Sequence, residues 1–419
     1  MPADTVPGHR PERRRPRSVL AGPATVLLAV TALIGAGTMA GPMYGASADE
    51  PCSLPRSGVH HSLGLDSWNS SYPRPDGDLD AVMLFLSFPD AEPYLTPAAI
   101  AAEHFPATSD FFSRSSYGQF RLTAHVVEEW IEMPQASTAY GIQRDWDAEL
   151  RSAYLRDALE LLEPRVDFAG HDIIYLVADP DAPGVDSDAT KVVNFDRPVE
   201  VGDAEIRRIV TVFEERTPDR NVLAHETGHV FDLPDLYRRP DDRHGDWDTY
   251  VGDWDIMGSQ FALAPDFFGW HKWKLGWLNT EFIDCVRGPG VTRHTLEPLG
   301  APLDPERPEN DTRLAVIRTG AHEALVAEAR TRAGNDADAC TSGVLLYLVR
   351  SDVPSAQGPI EVLDGSPDSG ACHGRSVHPR LADAPLDTGE TYRHTGAGVR
   401  VDVGDRTATG GWEVTITKD

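Results

Sequence analysis

Residues 225–229 read His-Glu-Thr-Gly-His, with apolar Val222, Leu223 and Ala224 before them and Val230 and Phe231 after. On a helix, positions four apart share a face, so the imidazoles of His225 and His229 can reach one ion while Glu226 projects toward a water bound to it. That pattern suits zinc chemistry: two nitrogen ligands, a carboxylate to take a proton, and a need for a third protein ligand with a fourth position left open.

The third ligand must come from beyond the helix. On a continuing helix Asp235 would lie about 9 Å further along the axis and face elsewhere. Pro234 disfavours helical geometry at Leu233, and Asp232 is a residue type that tolerates a left-handed turn. A break there brings the Asp235 carboxylate back, and His225, His229 and Asp235 form the expected metal set with Glu226 as general base. His244, or a carboxylate between 241 and 255, is the alternative third ligand. A ligand six residues after the second histidine is the metzincin arrangement, with Asp in place of a third His. Met257, in Asp255-Ile256-Met257-Gly258, supplies the methionine turn of that clan.

These residues, with Leu233-Pro234-Asp235-Leu236-Tyr237 and the run GDWDIMG at 252–258, resemble the immune inhibitor A family of bacterial secreted metallopeptidases. Ser109-Asp110-Phe111-Phe112, Ser116-Tyr117-Gly118 and Leu275-Gly276-Trp277 extend the similarity over about residues 80–280. Glu328-Ala329-Arg330 and the run 343–347 resemble the family's β-rich continuation. The resemblance implies zinc as cofactor. It also makes calcium a candidate at the acidic loops 179–188 and 241–255, for which solvated surface is the plain alternative. One departure stands out: the family places Gly where this chain has Asp232, a difference of roughly 1 kcal/mol if the position is left-handed. No tyrosine lies two residues after Met257, so Tyr237 and Tyr250 are the phenols left to consider as transition-state stabilisers. His104, His171, His271 and His378 lack spaced partners and read as ordinary packed or surface residues.

The elements that must position this site are legible in part. Residues 81–88 (AVMLFLSF) form an apolar run stopped by Pro89, the pattern of a buried strand. A helix is expected around 109–114, a strand over 120–127, a helix over 146–162 and a strand over 173–177. Beyond about 288 short β-type runs take over, at 314–317, 344–349, 399–403 and 412–417. The expected fold is α+β: a metzincin-like zinc peptidase domain with a mixed sheet and an active-site helix (79–288), followed by a β-rich, sandwich-like domain (289–419).

Residues 1–48 combine Arg10, Arg13, Arg14, Arg15 and Arg17 with an apolar run and the close Ala46-Ser47-Ala48, which reads as a secretory signal peptide with an uncleaved anchor as the alternative. Residues 49–78, rich in Ser, Pro, Gly and Asp, read as a poorly structured leader or pro-segment. Four cysteines in an exported chain point to disulfides whose connectivity the sequence leaves open; Cys340 with Cys372 is the preferred pair because both lie in the C-terminal region, which leaves Cys52 for Cys285. A sharper alternative has the Cys52 thiolate occupying zinc in a latent form. The 66 acidic against 38 basic residues give a net charge of −28, which repels nucleic acid and anionic membranes. Protein or peptide substrates are the expected partners, with no stable membrane association once the signal is cut. Oligomeric state is left open.

The expected activity is therefore that of a secreted zinc endopeptidase. Two alternatives remain from the sequence: a catalytically inactive peptidase fold serving in binding or adhesion, and an enzyme acting on a small amide or ester.

Overall fold

The computed structural model describes residues 52–214, 221–240, 245–304, 306 and 311–419. The expected signal peptide lies outside the described residues, among which no helix is long and apolar enough to cross a membrane.

The first half is built on a five-stranded sheet of β1 (Gly77–Ser87), β2 (Phe120–Glu132), β3 (Ile173–Ala178), β4 (Lys191–Val201) and β5 (Ala204–Val212), in the order β2-β1-β3-β5-β4. The first four in that order run parallel, and β4 closes the edge antiparallel to β5. The unbroken apolar run of β1 is explained by its position, because a central parallel strand is covered on both faces. Ala81, Met83 and Phe85 point to one core, and Val82, Leu84 and Leu86 to the other.

Helix α1 (Pro97–His104), α2 (Ala107–Ser115) and α4 (Val222–Val230) pack on the first face. Helix α3 (Ala148–Leu162) covers the second, capped by Asp147 and burying Tyr154, Leu155, Ala158, Leu159 and Leu162, the i, i+1, i+4, i+5, i+8 stripe of an amphipathic helix. The expected strands and helices of this half all appear. The β4–β5 hairpin is not legible in the sequence, because charged Lys191, Asp196, Arg197 and Glu200 interrupt its alternation.

After α5 (Gly269–Leu275) come two further sheets. One holds β6 (Ile283–Val286), β8 (Leu314–Arg318), β9 (Glu323–Arg330), β10 (Gly343–Arg350) and β11 (Ile360–Leu363); the other holds β7 (Gly290–Leu296), β12 (Thr391–His394), β13 (Val399–Arg406) and β14 (Trp412–Lys418). Leu325, Ala327, Leu346, Val401, Val414 and Trp412 fill the space between them, so the expected sandwich is present and the fold is α+β. β6 lies before residue 288 yet already belongs to this region.

The opposite face of the first sandwich sheet lies against the helix-bearing first half. From β9, Ala324 and Val326 join its core, while fully buried Glu328 and Arg330 carry charge into the junction. Such burial costs several kcal/mol per ion unless every donor and acceptor is matched. Here they are matched. Arg330 reaches Glu328, Asp336 and the carbonyls of Trp254, Ala264 and Asp266, and Glu328 accepts from the Gly269 amide and the Tyr347 hydroxyl.

Both expected disulfides are formed, Cys52–Cys285 and Cys340–Cys372. Cys52 is therefore not a free thiolate, which removes the latent zinc ligand. The segment 52–78 also corrects the expectation of a poorly structured leader. It has almost no regular structure, but Leu54 and Leu63 are fully buried, the Leu65 amide bonds the Leu54 carbonyl, and the Trp270 indole donates to the Leu63 carbonyl.

Candidate metal centre and cleft

Helix α4 turns Leu223, Ala224, Thr227 and Val230 inward, with the Thr227 hydroxyl 2.8 Å from the Tyr175 phenol. Gly228 allows a close approach: a Cβ there would overlap the Met257 sulfur and stand 3.2 Å from its methyl carbon. Met257 thus lies directly under the helix. The helix stops as expected. The amides of Phe231 and Leu233 both return to the Gly228 carbonyl, and Asp232 between them adopts φ +63°, the left-handed geometry that closes many helices. The chain then doubles back and delivers Asp235.

One ligand atom each from His225, His229 and Asp235 lies within 4.8 Å of the others. His229 Nε2 is 3.0 Å and His225 Nε2 3.5 Å from Asp235 Oδ1. Each imidazole has its Nδ1 2.8 Å from a backbone carbonyl, Ile256 for His225 and Leu233 for His229. A carbonyl only accepts, so Nδ1 carries the proton and the neutral ring presents a lone pair at Nε2. With both rings neutral, three acceptors face one another, and buried Asp235 Oδ1 faces the two imidazoles with no other hydrogen-bond partner among the described residues. Such a set suits a cation, and these donor types fit zinc.

The electrostatics agree. Burial disfavours charge on His229, yet the Asp235 carboxylate outweighs it and pushes its pKa up to about 9. Burial likewise opposes the Asp235 charge, and the histidines nevertheless hold its pKa well below the usual carboxylate range. Without a metal, a proton on His229 beside the Asp235 carboxylate takes the place that a bound cation would fill. The alternative ligand His244 lies outside the described residues, and among the described residues no other group of three His, Cys, Asp or Glu side chains gathers in this way. That includes the described parts of the acidic loops considered for calcium.

Glu226 is buried beside the histidines, and its Oε2 accepts the Val192 amide of edge strand β4 at 2.9 Å. Burial raises its pKa, against the pull of His225 and His229. All four residues open onto a cleft of about 650 Å³. Tyr237 lines this cleft, its ring stacked 6.4 Å from that of His225. Tyr250 does not; it packs against Gly358 instead.

The methionine turn is held from several sides. Asp255 Oδ1 accepts the Met257 amide, and its Oδ2 accepts the Phe268 amide and His271 Nδ1. The Leu236 amide bonds the Met257 carbonyl. His225 therefore takes its orientation from the turn through Ile256.

Further contributors come from three parts of the chain that local spacing cannot connect. Ser355, in the β10–β11 loop, accepts the Asp235 amide at 2.9 Å and donates to its Oδ2 at 3.1 Å, and the Ala356 amide bonds the Asp235 carbonyl at 3.0 Å. Arg56 and His61 from the N-terminal segment pair with the Asp232 carboxylate, and Lys274 of α5 lies 3.4 Å from it. The His61 ring stacks 5.7 Å from His229. The departure from Gly at 232 thus has a structural use, since its side chain anchors the N-terminal segment beside the metal turn.

No protein-family model and no curated protein matches this sequence. Two crystal forms of wild type OgpA from Akkermansia muciniphila align along most of its length at 11% identity. One alignment covers 82% of this chain and 94% of that one with a TM-score of 0.30; the other covers 83% and 96% with 0.29. At that TM-score the likeness bears on neither the fold nor the chemistry.

Proposed function

We propose that this chain is a secreted zinc-dependent endopeptidase of the immune inhibitor A type, with His225, His229 and Asp235 as metal ligands and Glu226 as general base. The observation that carries the reading is the meeting of three metal-ligating atoms, one of them a buried carboxylate oxygen facing both imidazoles, beside a buried glutamate in an open cleft. The N-terminal export pattern and two disulfides support an extracellular setting.

Zinc bound there supplies Lewis acidity toward a scissile carbonyl and toward water. Glu226 accepts the proton of the attacking water and passes it to the departing amine. Its raised pKa suits that exchange, since a base that holds its proton more firmly also returns it near neutral pH. The Val192 amide keeps one Glu226 oxygen fixed and leaves the other for water. Tyr237, in the same cleft wall, is placed to touch a bound substrate, which makes it the stronger of the two phenols considered.

The test is hydrolysis of an unstructured protein such as casein by the zinc-loaded mature chain, with and without a chelator, beside Glu226→Ala. Chelator-sensitive cleavage that is lost in Glu226→Ala, while that variant still binds zinc, is the expected result. Retained zinc with no cleavage of any protein would favour the binding or adhesion reading, and turnover of short amides alone would favour a small-substrate enzyme.

A further inference from the structure

One wall of the cleft departs from the acidic character of the chain. Arg144, Lys191 and Arg239 all line it, together with Trp247 and Tyr237. The wall is continuous with the metal centre: from His225 the ring of Tyr237 is 6.4 Å away, Trp247 a further 5.5 Å, and the Arg144 guanidinium lies 5.0 Å over Trp247. Lys191 precedes Val192, the residue whose amide holds Glu226, so its ammonium belongs to the strand position next to the general base.

The cations are incompletely matched. Lys191 Nζ donates to the Arg144 carbonyl at 2.6 Å, and among the described residues no carboxylate oxygen stands within ion-pair distance of it. Burial lowers its pKa, with Arg151 adding repulsion. Arg144 meets Asp188 at 3.4 Å and Arg239 meets Asp145 at 2.9 Å, all four side chains being more than a third exposed. Pairs so open to water are weak, and each guanidinium keeps further N–H donors for an oxygen acceptor.

We infer that this wall is a subsite for a substrate carboxylate, placing an acidic side chain, or the carboxylate end of a peptide, within a residue or two of the scissile bond. The inference rests on the peptidase reading. Lys191 supplies the half-buried charge, Arg144 and Arg239 the forked donors, and Trp247 a rigid backing that holds Arg144 in place. A lysine or arginine on the substrate meets like charge in the same place.

The experiment compares kcat/KM for peptides blocked at both ends that carry Glu, Gln or Lys at each position flanking the cut, in about 0.15 M salt, where the Debye length of about 8 Å screens the overall negative charge of the chain. A matched set with a free C-terminus and no acidic side chain tests the other source of carboxylate. Expected is a preference of about tenfold for Glu over Gln at one position, as one charged hydrogen-bonded contact gives, carried mainly by KM, with Lys disfavoured. Lys191→Gln lowers the Glu-to-Gln ratio toward one, and Lys191→Glu reverses it. Arg144→Gln, an exposed replacement, lowers it in part. A preference confined to free C-termini and lost in Lys191→Gln supports the same subsite with the chain end as its ligand. Cleavage of Glu, Gln and Lys peptides with equal efficiency together with no advantage for a free C-terminus, or a Glu preference unchanged in Lys191→Gln, overturns the subsite while leaving the peptidase standing. Failure to cleave any peptide or casein overturns both.

Discussion

The Ser355 hydroxyl both accepts the amide of Asp235 and donates to its Oδ2, at 2.9 and 3.1 Å, across 120 residues of sequence. A loop of the sandwich thereby fixes the carboxylate proposed as third metal ligand. Outer contacts of this kind are typically worth 10–100-fold in metal affinity. Ser355→Ala is therefore expected to weaken zinc binding by about tenfold or more, measured by competition with a chromogenic chelator, and Ser355→Thr to retain most of it. Wild-type affinity in Ser355→Ala would show the contact to be incidental.

Asp232 sets two effects against each other. Replacing it with Gly relieves left-handed backbone strain of about 1 kcal/mol. It also strips Arg56, His61 and Lys274 of their shared carboxylate, and breaking a buried pair costs about 3–5 kcal/mol. The second term is larger, so Asp232→Gly is expected to lower the urea midpoint. Adding Lys274→Met should recover part of the loss by removing the stranded ammonium. A stabilised Asp232→Gly would mean that backbone strain dominates.

Gly228→Ala forces a methyl into the Met257 sulfur. Overpacking of this kind costs about 1–3 kcal/mol, and here it also presses on the helix that carries both histidines. Thermal unfolding should move down. In a Met257→Ala background the same substitution should cost less, because the two positions share one space.

His104 gives a pH signature remote from the metal. Both of its ring nitrogens are buried without partners among the described residues, and burial lowers its pKa to about 4 from 6.5. The folded state resists the proton that the unfolded chain accepts, so stability is full above pH 6.5 and declines as pH falls toward 4, by about 3 kcal/mol at pH 4. His104→Leu is expected to flatten stability in that window, read as the urea midpoint at pH 7 and pH 4.5. An equal decline in both proteins would assign the acid sensitivity elsewhere.

The part of the site that sequence reveals is the part made by local geometry. His225, Glu226 and His229 follow from helical spacing, and the turn to Asp235 follows from Pro234 and Asp232, whose φ of +63° matches the expectation. Ser355, Arg56 and His61 leave no such trace, because a hydroxyl or guanidinium in a loop acquires meaning only from what the fold places opposite it. The same holds for elements. The apolar run of β1 is conspicuous, but β9 hides, since Glu323, Glu328 and Arg330 break its run even though residues 324–330 are all buried. Residues 52–78 lack any periodicity to read, and their order comes from Leu54, Leu63, the Cys52–Cys285 bridge and the pairing at Asp232.

Strand β9 belongs to two cores at once: Leu325 and Ala327 face the sandwich, while Val326, Glu328 and Arg330 face the helix-bearing half. A gene fusion that exchanged the sandwich as a cassette would bring a strand whose outer face no longer fitted Trp254, Phe268 and Gly269. It would also remove the carbonyl clamp of Arg330 and the hydroxyl of Ser355 together. The C-terminal half is thus tied to the helix-bearing half through a shared strand: a substitution on one side of β9 is expected to need a compensating change on the other, and a chain cut near residue 288 would have to rebuild a floor for its methionine turn.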